Sequence, residues 1–219
     1  MCYAGSVARG ISLSEKFAKK WETMRDEQPF TNRKKDTDKS LDPLKPRLDF
    51  AISRIELLTR KLDRAEDRFD QREKAIFTKL VEAYTKHNTV CACVLAYDRV
   101  EVRKISILII NSKSALEQIS FRLRTASKLD DIVSSLGPAL AALRTVKSRL
   151  VTVFPETENE LGEIGNMLSG IMTEAGQSSG MALNFDAVDE DADKILSEAA
   201  TIAKQRIEAK FPSMQPGHS

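Results

Sequence analysis

Residues 47–86 and 89–127 form two long stretches that contain neither glycine nor proline. Nothing in either stops a helix, and both carry apolar residues at helical spacing. In the first, Leu48, Ile52, Ile55, Leu58, Leu62, Ala65 and Phe69 recur every three or four positions; Ile76, Leu80, Ala83 and Tyr84 continue after a polar patch. Pro46 suits a first helical turn, where its missing N–H costs nothing. About forty residues at 1.5 Å each make a helix roughly 60 Å long. Half charged and that long, it needs another element to cover its apolar stripe. The second stretch offers one through Val94, Leu95, Val100, Ile105, Leu108, Ile109, Leu116, Ile119 and Leu123. Between them Lys86-His87-Asn88-Thr89 reads as a turn, with Asn88 in the left-handed region and Thr89 capping the next helix. Two long helices joined this tightly lie antiparallel. The expected fold is all-α: a long antiparallel helical hairpin with additional shorter helices and flexible termini.

The rest of the chain divides around that hairpin. A third helix is expected over 129–153, with Gly137-Pro138 kinking or restarting it. Phe154-Pro155 is a firmer break. Thr157-x-x-Glu160 reads as a capping box that opens a fourth helix over 157–173. A linker over 174–193 and a terminal helix over 194–211 follow. Residues 1–45 are an N-terminal segment with a candidate amphipathic helix and a proline-punctuated linker. The expected organisation is 1–45, a helical core over 46–154, and a C-terminal region over 155–219.

Charge follows the same boundary. Residues 1–154 hold 30 Lys+Arg against 20 Asp+Glu, a balance of +10; residues 155–219 hold 4 against 12, or −8, and the two return the net +2. A basic body with an acidic tail fits a protein whose body meets an anionic surface while the tail competes for it. No run approaches the roughly 18 consecutive apolar residues that would span a membrane. The N-terminus is a poor signal peptide, and three cysteines (Cys2, Cys91, Cys93) are not a disulfide framework, which together point to the cytosol. Enzyme chemistry finds no foothold: there is no P-loop and no Gly-x-Ser-x-Gly elbow. His87 and Cys91 are too few to make a metal site; they read, with Cys93, as a turn histidine and two small core residues. Carboxylate pairs such as Glu66 and Asp70 read as solvated. No catalytic residue, cofactor or metal is expected.

Three segments, AYDRVEVRKI at 96–105, ALEQISFRLRTA at 115–126 and SSLGPALAALRTVKSRLVTVFPETENELGEIGNML at 134–168, together resemble the ESCRT-III superfamily in its archaeal cell-division branch, CdvB and its paralogues. The likeness covers about 46–173, and the chain looks like the shorter paralogues that lack a winged-helix segment. The resemblance implies filaments that bind and remodel or constrict membrane from the cytoplasmic side at the division site. It also implies co-assembly with related paralogues and disassembly by the AAA ATPase CdvC, whose MIT domain grips the C-terminal tail. Nucleic acid is not an expected partner: the pI of about 8.4 is modest and no recognised motif is present.

Each candidate site has a functional and a structural reading. Leu13, Phe17, Trp21 and Met24 share one stripe flanked by Lys16, Lys20 and Arg25. It is either an interfacial membrane helix, or else a short helix packed on the hairpin or a disordered tail. Arg47, Arg54, Arg60, Lys61, Arg64, Arg68, Arg72 and Lys74 either line a face toward lipid or form a solvated face laced with i,i+4 pairs. Ala203, Arg206, Ile207, Lys210, Phe211, Pro212 and Pro216 either dock the ATPase or belong to a helix folded back on the hairpin. Gly137 and Pro138 mark either a hinge, at which the family fuses its second and third helices, or a fixed kink. Truncation after Phe154 is expected to promote assembly. The rival to a filament subunit is a non-polymerising coiled-coil adaptor.

Overall fold

The computed structural model describes residues 44–179 and 185–211, which lie in one compact unit. Among the described residues there are five helices: α1 (Leu44–Thr85), α2 (Thr89–Thr125), α3 (Leu129–Leu150), α4 (Thr157–Ser179) and α5 (Phe185–Lys210). Helices α1 and α2 pack along one another as the expected hairpin. Helix α3 lies on α2, α4 lies on α3 and α1, and α5 lies on α2 and α3. Phe154, just after α3, meets Phe69 of α1 edge to face, ring centroids 6.0 Å apart. The shorter helices therefore wrap the open end of the hairpin, and α1 and α2 continue beyond them to the turn.

The core is the apolar periodicity made physical. Leu48, Ile52, Ile55, Leu58 and Leu62 of α1 are buried with Leu116, Ile119 and Leu123 of α2, Leu136, Leu140 and Leu143 of α3, and Leu161, Ile164 and Leu168 of α4. Leu116 has no exposed surface. Leu116→Ala is expected to lower the unfolding free energy by about 2–5 kcal/mol, read as the shift in a chemical denaturation curve with unchanged slope.

Local details depart from the sequence reading in instructive ways. In the turn, His87 takes the left-handed conformation (φ 55°), and Asn88 caps α2 by accepting the Cys91 N–H at 3.1 Å. Each role falls one residue upstream, because the Asn88 amide oxygen reaches the orphan donors from the cap position. Thr157 does open α4, but its hydroxyl donates to the Phe154 carbonyl at 2.7 Å and Glu160 turns to α1, so the capping box is not made. Helix α3 continues through Pro138, with Leu136, Gly137, Pro138, Ala139 and Leu140 all buried. Packing outweighs the roughly 3 kcal/mol an interior proline costs. Helix α4 runs to Ser179, held by the fully buried Ala175, and α5 starts at Phe185, its early turns rich in carboxylates that suit a helix N-terminus. Cys91 and Cys93, expected in the core, are exposed.

Candidate functional site

The charges of α1 interleave in sequence but separate on the helix. At 100° per residue, Arg47, Arg54, Lys61, Arg64, Arg68, Arg72 and Lys79 fall within an arc of about 100°. Asp63, Glu66, Asp70 and Glu73 fall on the opposite side. The cation side meets α4. Arg47 pairs with Glu174, Arg54 with Glu163 at 2.7 Å, and Lys61 with Glu160. The first three cations are seven residues apart, two helical turns, so α4 running alongside meets each in succession. Beyond α4 the stripe goes on uncovered: Arg64, Arg68, Arg72 and Lys79 are exposed and make no ion pair among the described residues. Phe50 and Leu57, 57% and 39% exposed, sit in the same stripe. A cleft of about 400 Å³ lies where covered and open parts meet, lined by Lys61, Arg64, Arg68, Phe154 and Thr157. The expected lacing by i,i+4 pairs is largely absent; Lys74–Asp70 at 2.9 Å is the pair of that kind in this stretch.

The carboxylate side meets α2 and the end of α5. Lys113 of α2, its side chain 14% exposed, bonds Asp63 at 2.8 Å and Glu66 at 2.7 Å. Lys210 of α5 adds bonds to Glu66 at 3.0 Å and Asp70 at 3.7 Å. Arg206 bonds Glu117 at 2.8 Å and the Ser114 hydroxyl at 3.1 Å, and Arg122 bonds Glu198 at 2.9 Å. Arg103 lies 4.5 Å above the Phe211 ring, and Ala203 is fully buried. Glu66 and Asp70 are thus not freely solvated carboxylates: tertiary packing turns them toward two lysines. Of the proposed ATPase-docking residues, Ala203, Arg206, Lys210 and Phe211 are engaged by the hairpin and Ile207 is half-buried. Pro212 and Pro216 lie outside the described residues, as do Leu13, Lys16, Phe17, Lys20, Trp21, Met24 and Arg25 of the N-terminal stripe. At the hinge position, a Cβ on Gly137 would lie 2.9 Å from Val188 of α5. Only glycine lets α5 approach α3 this closely.

Burial raises the Glu66 pKa, but hydrogen bonds and charge from Lys113 and Lys210 outweigh it and hold the carboxyl below its ordinary value. The Lys74 hydrogen bond lowers Asp70; burial opposes it, and the Lys210 charge adds to the lowering. Burial opposes the charge on Lys113, yet Asp63 and Glu66 raise its pKa. The carboxylates therefore stabilise the closed form fully above about pH 4.5, and that contribution is lost as pH falls through their lowered values; the Lys113 contribution is lost only as pH rises past about 10.5. The thermal unfolding midpoint, followed by circular dichroism, is expected to be flat between those limits and to fall steeply below pH 4.

No family model and no solved structure matches the chain. Curated proteins do. The chain is 36% identical to Cell division protein B1 of Sulfolobus acidocaldarius over 202 residues, covering 92% of this chain and 91% of that protein. It is 25% identical to Cell division protein B of the same organism, over 78% of this chain and 67% of that one. It is 29% identical to the ESCRT-III complex subunit did4 of Schizosaccharomyces pombe, over 48% and 53%. A wrapped all-helical hairpin with these relatives defines the class: the chain belongs to the ESCRT-III superfamily, in its archaeal CdvB-like branch. Proteins of this family are structural and non-enzymatic.

Two features escaped the sequence reading. The α1–α4 clamp was signalled by the seven-residue spacing of Arg47, Arg54 and Lys61. Lys113 was signalled by being the lone cation between Ile105 and Ile119.

Proposed function

We propose that the chain is a filament-forming ESCRT-III subunit that binds and remodels or constricts membrane from the cytoplasmic side during archaeal cell division. The open half of the α1 stripe carries this reading. Arg64, Arg68, Arg72 and Lys79 are a row of exposed cations, without an ion pair among the described residues, in register with three more that α4 holds. Phe50 and Leu57, exposed on the same stripe between the cations that α4 holds, supply apolar side chains for the headgroup boundary. No helix among the described residues is long and apolar enough to cross a membrane, so the contact is peripheral. The names of the relatives support the division role and co-assembly with paralogues.

Helices α4 and α5 give the closed form its control. Helix α4 neutralises half of the stripe, and α5 occupies the hairpin with Arg206 and Lys210, the residues assigned to docking the MIT domain of CdvC. Gly137-Pro138, expected at a hinge between α2 and α3, lies inside the unbroken α3, where α5 packs over it through Val188. The decisive experiment is co-sedimentation of the full chain with anionic and neutral vesicles over a salt series. Salt-sensitive binding to the anionic set supports the reading; equal recovery with both, or with neither, overturns it. The N-terminal stripe takes part in the same contact. Phe17→Ala with Trp21→Ala is expected to weaken vesicle binding about tenfold or more, and binding equal to the parent removes that segment from the membrane surface.

A further inference from the structure

Past the wrapped part, the hairpin carries exposed apolar side chains that neither stripe nor tail uses. On α1 they are Phe77, Val81 and Tyr84; on α2 they are Val90, Val94 and Tyr97. Both triplets have i, i+4, i+7 spacing, place valine in the middle and end in tyrosine. That spacing is how one helix presents a seam to another. Both tyrosines and Val90 are 76% exposed. With the half-exposed Val100, the two seams together expose on the order of 700 Å², about half on each, so one seam-to-seam contact buries on the order of 700 Å² over both partners, the size of a weak, reversible interface.

Charge and direction decide what covers it. From 77 to 101, Lys79, Lys86 and Arg99 are balanced by Glu82, Asp98 and Glu101. Lys86 pairs with Glu82 at 2.5 Å, and Arg99 bonds Glu73 at 2.7 Å while lying 4.3 Å over the Phe77 ring. Apart from Lys79, which belongs to the cation stripe on the other side of α1, the charges at this end of the hairpin leave no positive excess to offer an anionic membrane. The seams face different ways. Val90, Val94 and Tyr97 lie on the side of α2 opposite the buried Ala92, whereas the α1 seam sits about 120° round from the buried Ile76 and Ala83. One chain thus holds two matched helical seams that cannot meet each other.

We propose that the seams are mates between copies: Val90, Val94 and Tyr97 of one chain pack on Phe77, Val81 and Tyr84 of the next. A contact between two different patches is heterologous and propagates. This rests on the filament reading and names the side chains through which its subunits join. The test uses the full chain with Val81→Glu in one seam and Val94→Glu in the other, both at exposed positions that leave the core intact. Sedimentation velocity over a concentration series is expected to show association of the parent and about 100-fold weaker association of each variant. An equimolar mixture is expected to give one-to-one dimers, since one intact seam remains on each partner and growth stops there. Variants that assemble like the parent overturn the seams and leave the filament reading standing. A parent that stays monomeric overturns both. A mixture that gives no dimer overturns the heterologous pairing, and variants that lose vesicle binding but still self-associate assign the seams to lipid and overturn it as well.

Discussion

Replacing Arg64, Arg68, Arg72 and Lys79 together with glutamine is expected to weaken binding to anionic vesicles by about three orders of magnitude, at roughly 1 kcal/mol per cation near the surface. Fold stability should hardly change. The four side chains are exposed and make no ion pair among the described residues, so removing their charge breaks nothing inside the protein. Vesicle flotation with matched circular dichroism separates the outcomes. A binding loss with an unchanged melting curve places the anion contact on this stripe, and unchanged binding moves it elsewhere. Replacing Arg47, Arg54 and Lys61 is the informative control. Those three are already engaged by α4, so their loss in the closed protein should matter far less.

The second large effect runs in the opposite direction. Glu160→Gln, Glu163→Gln and Glu174→Gln together should tighten vesicle binding by about 100-fold, because three cations of the stripe lose their partners and join the four already open. The loss of stability should be small. These pairs are largely exposed, and pairs of that kind contribute at most about 1 kcal/mol each. Helix α4 is held chiefly by the buried Leu161, Ile164, Leu168 and Ile171. Tighter binding with a nearly unchanged unfolding midpoint supports the view that α4 acts on the stripe through charge. If binding does not rise, α4 blocks the stripe sterically or the stripe is not the lipid contact.

Much of the architecture was legible because helices advertise themselves locally. The spacing of Leu48, Ile52, Ile55, Leu58 and Leu62 against Leu116, Ile119 and Leu123 announces a hairpin, and its turn was off by one residue only because His87 tolerates the left-handed region. The ends of α4 and the start of α5 were harder. Gly176 and the small, polar residues around it look like a linker, yet Ala175 is fully buried and keeps the last turns helical. Pro138 misled for the same reason: local propensity marks a break, and a buried environment on both sides overrides it.

The site was less legible than the fold. The surplus of +10 before Phe154 and of −8 after it says that body and tail attract, but not through which residues. Sequence order shows α1 as an alternation of Arg and Asp or Glu, which reads as a solvated face. A helical projection separates them into two faces of opposite sign, and only the tertiary structure shows that one is given to α4 and the open stripe, the other to Lys113 and Lys210. The residues assigned to docking the ATPase carry no mark in sequence of being held against Glu66, Glu117 and Arg103.

By itself, the sequence determined the helices, their antiparallel pairing and the sign of the charge on each region, because periodicity and composition are properties of single segments. Which cations are covered, which stay open, and that Gly137 must lack a side chain beside Val188 were decided only by the tertiary structure. Those depend on where α4 and α5 come to rest, and that is set by apolar packing between separate helices, which no single segment encodes.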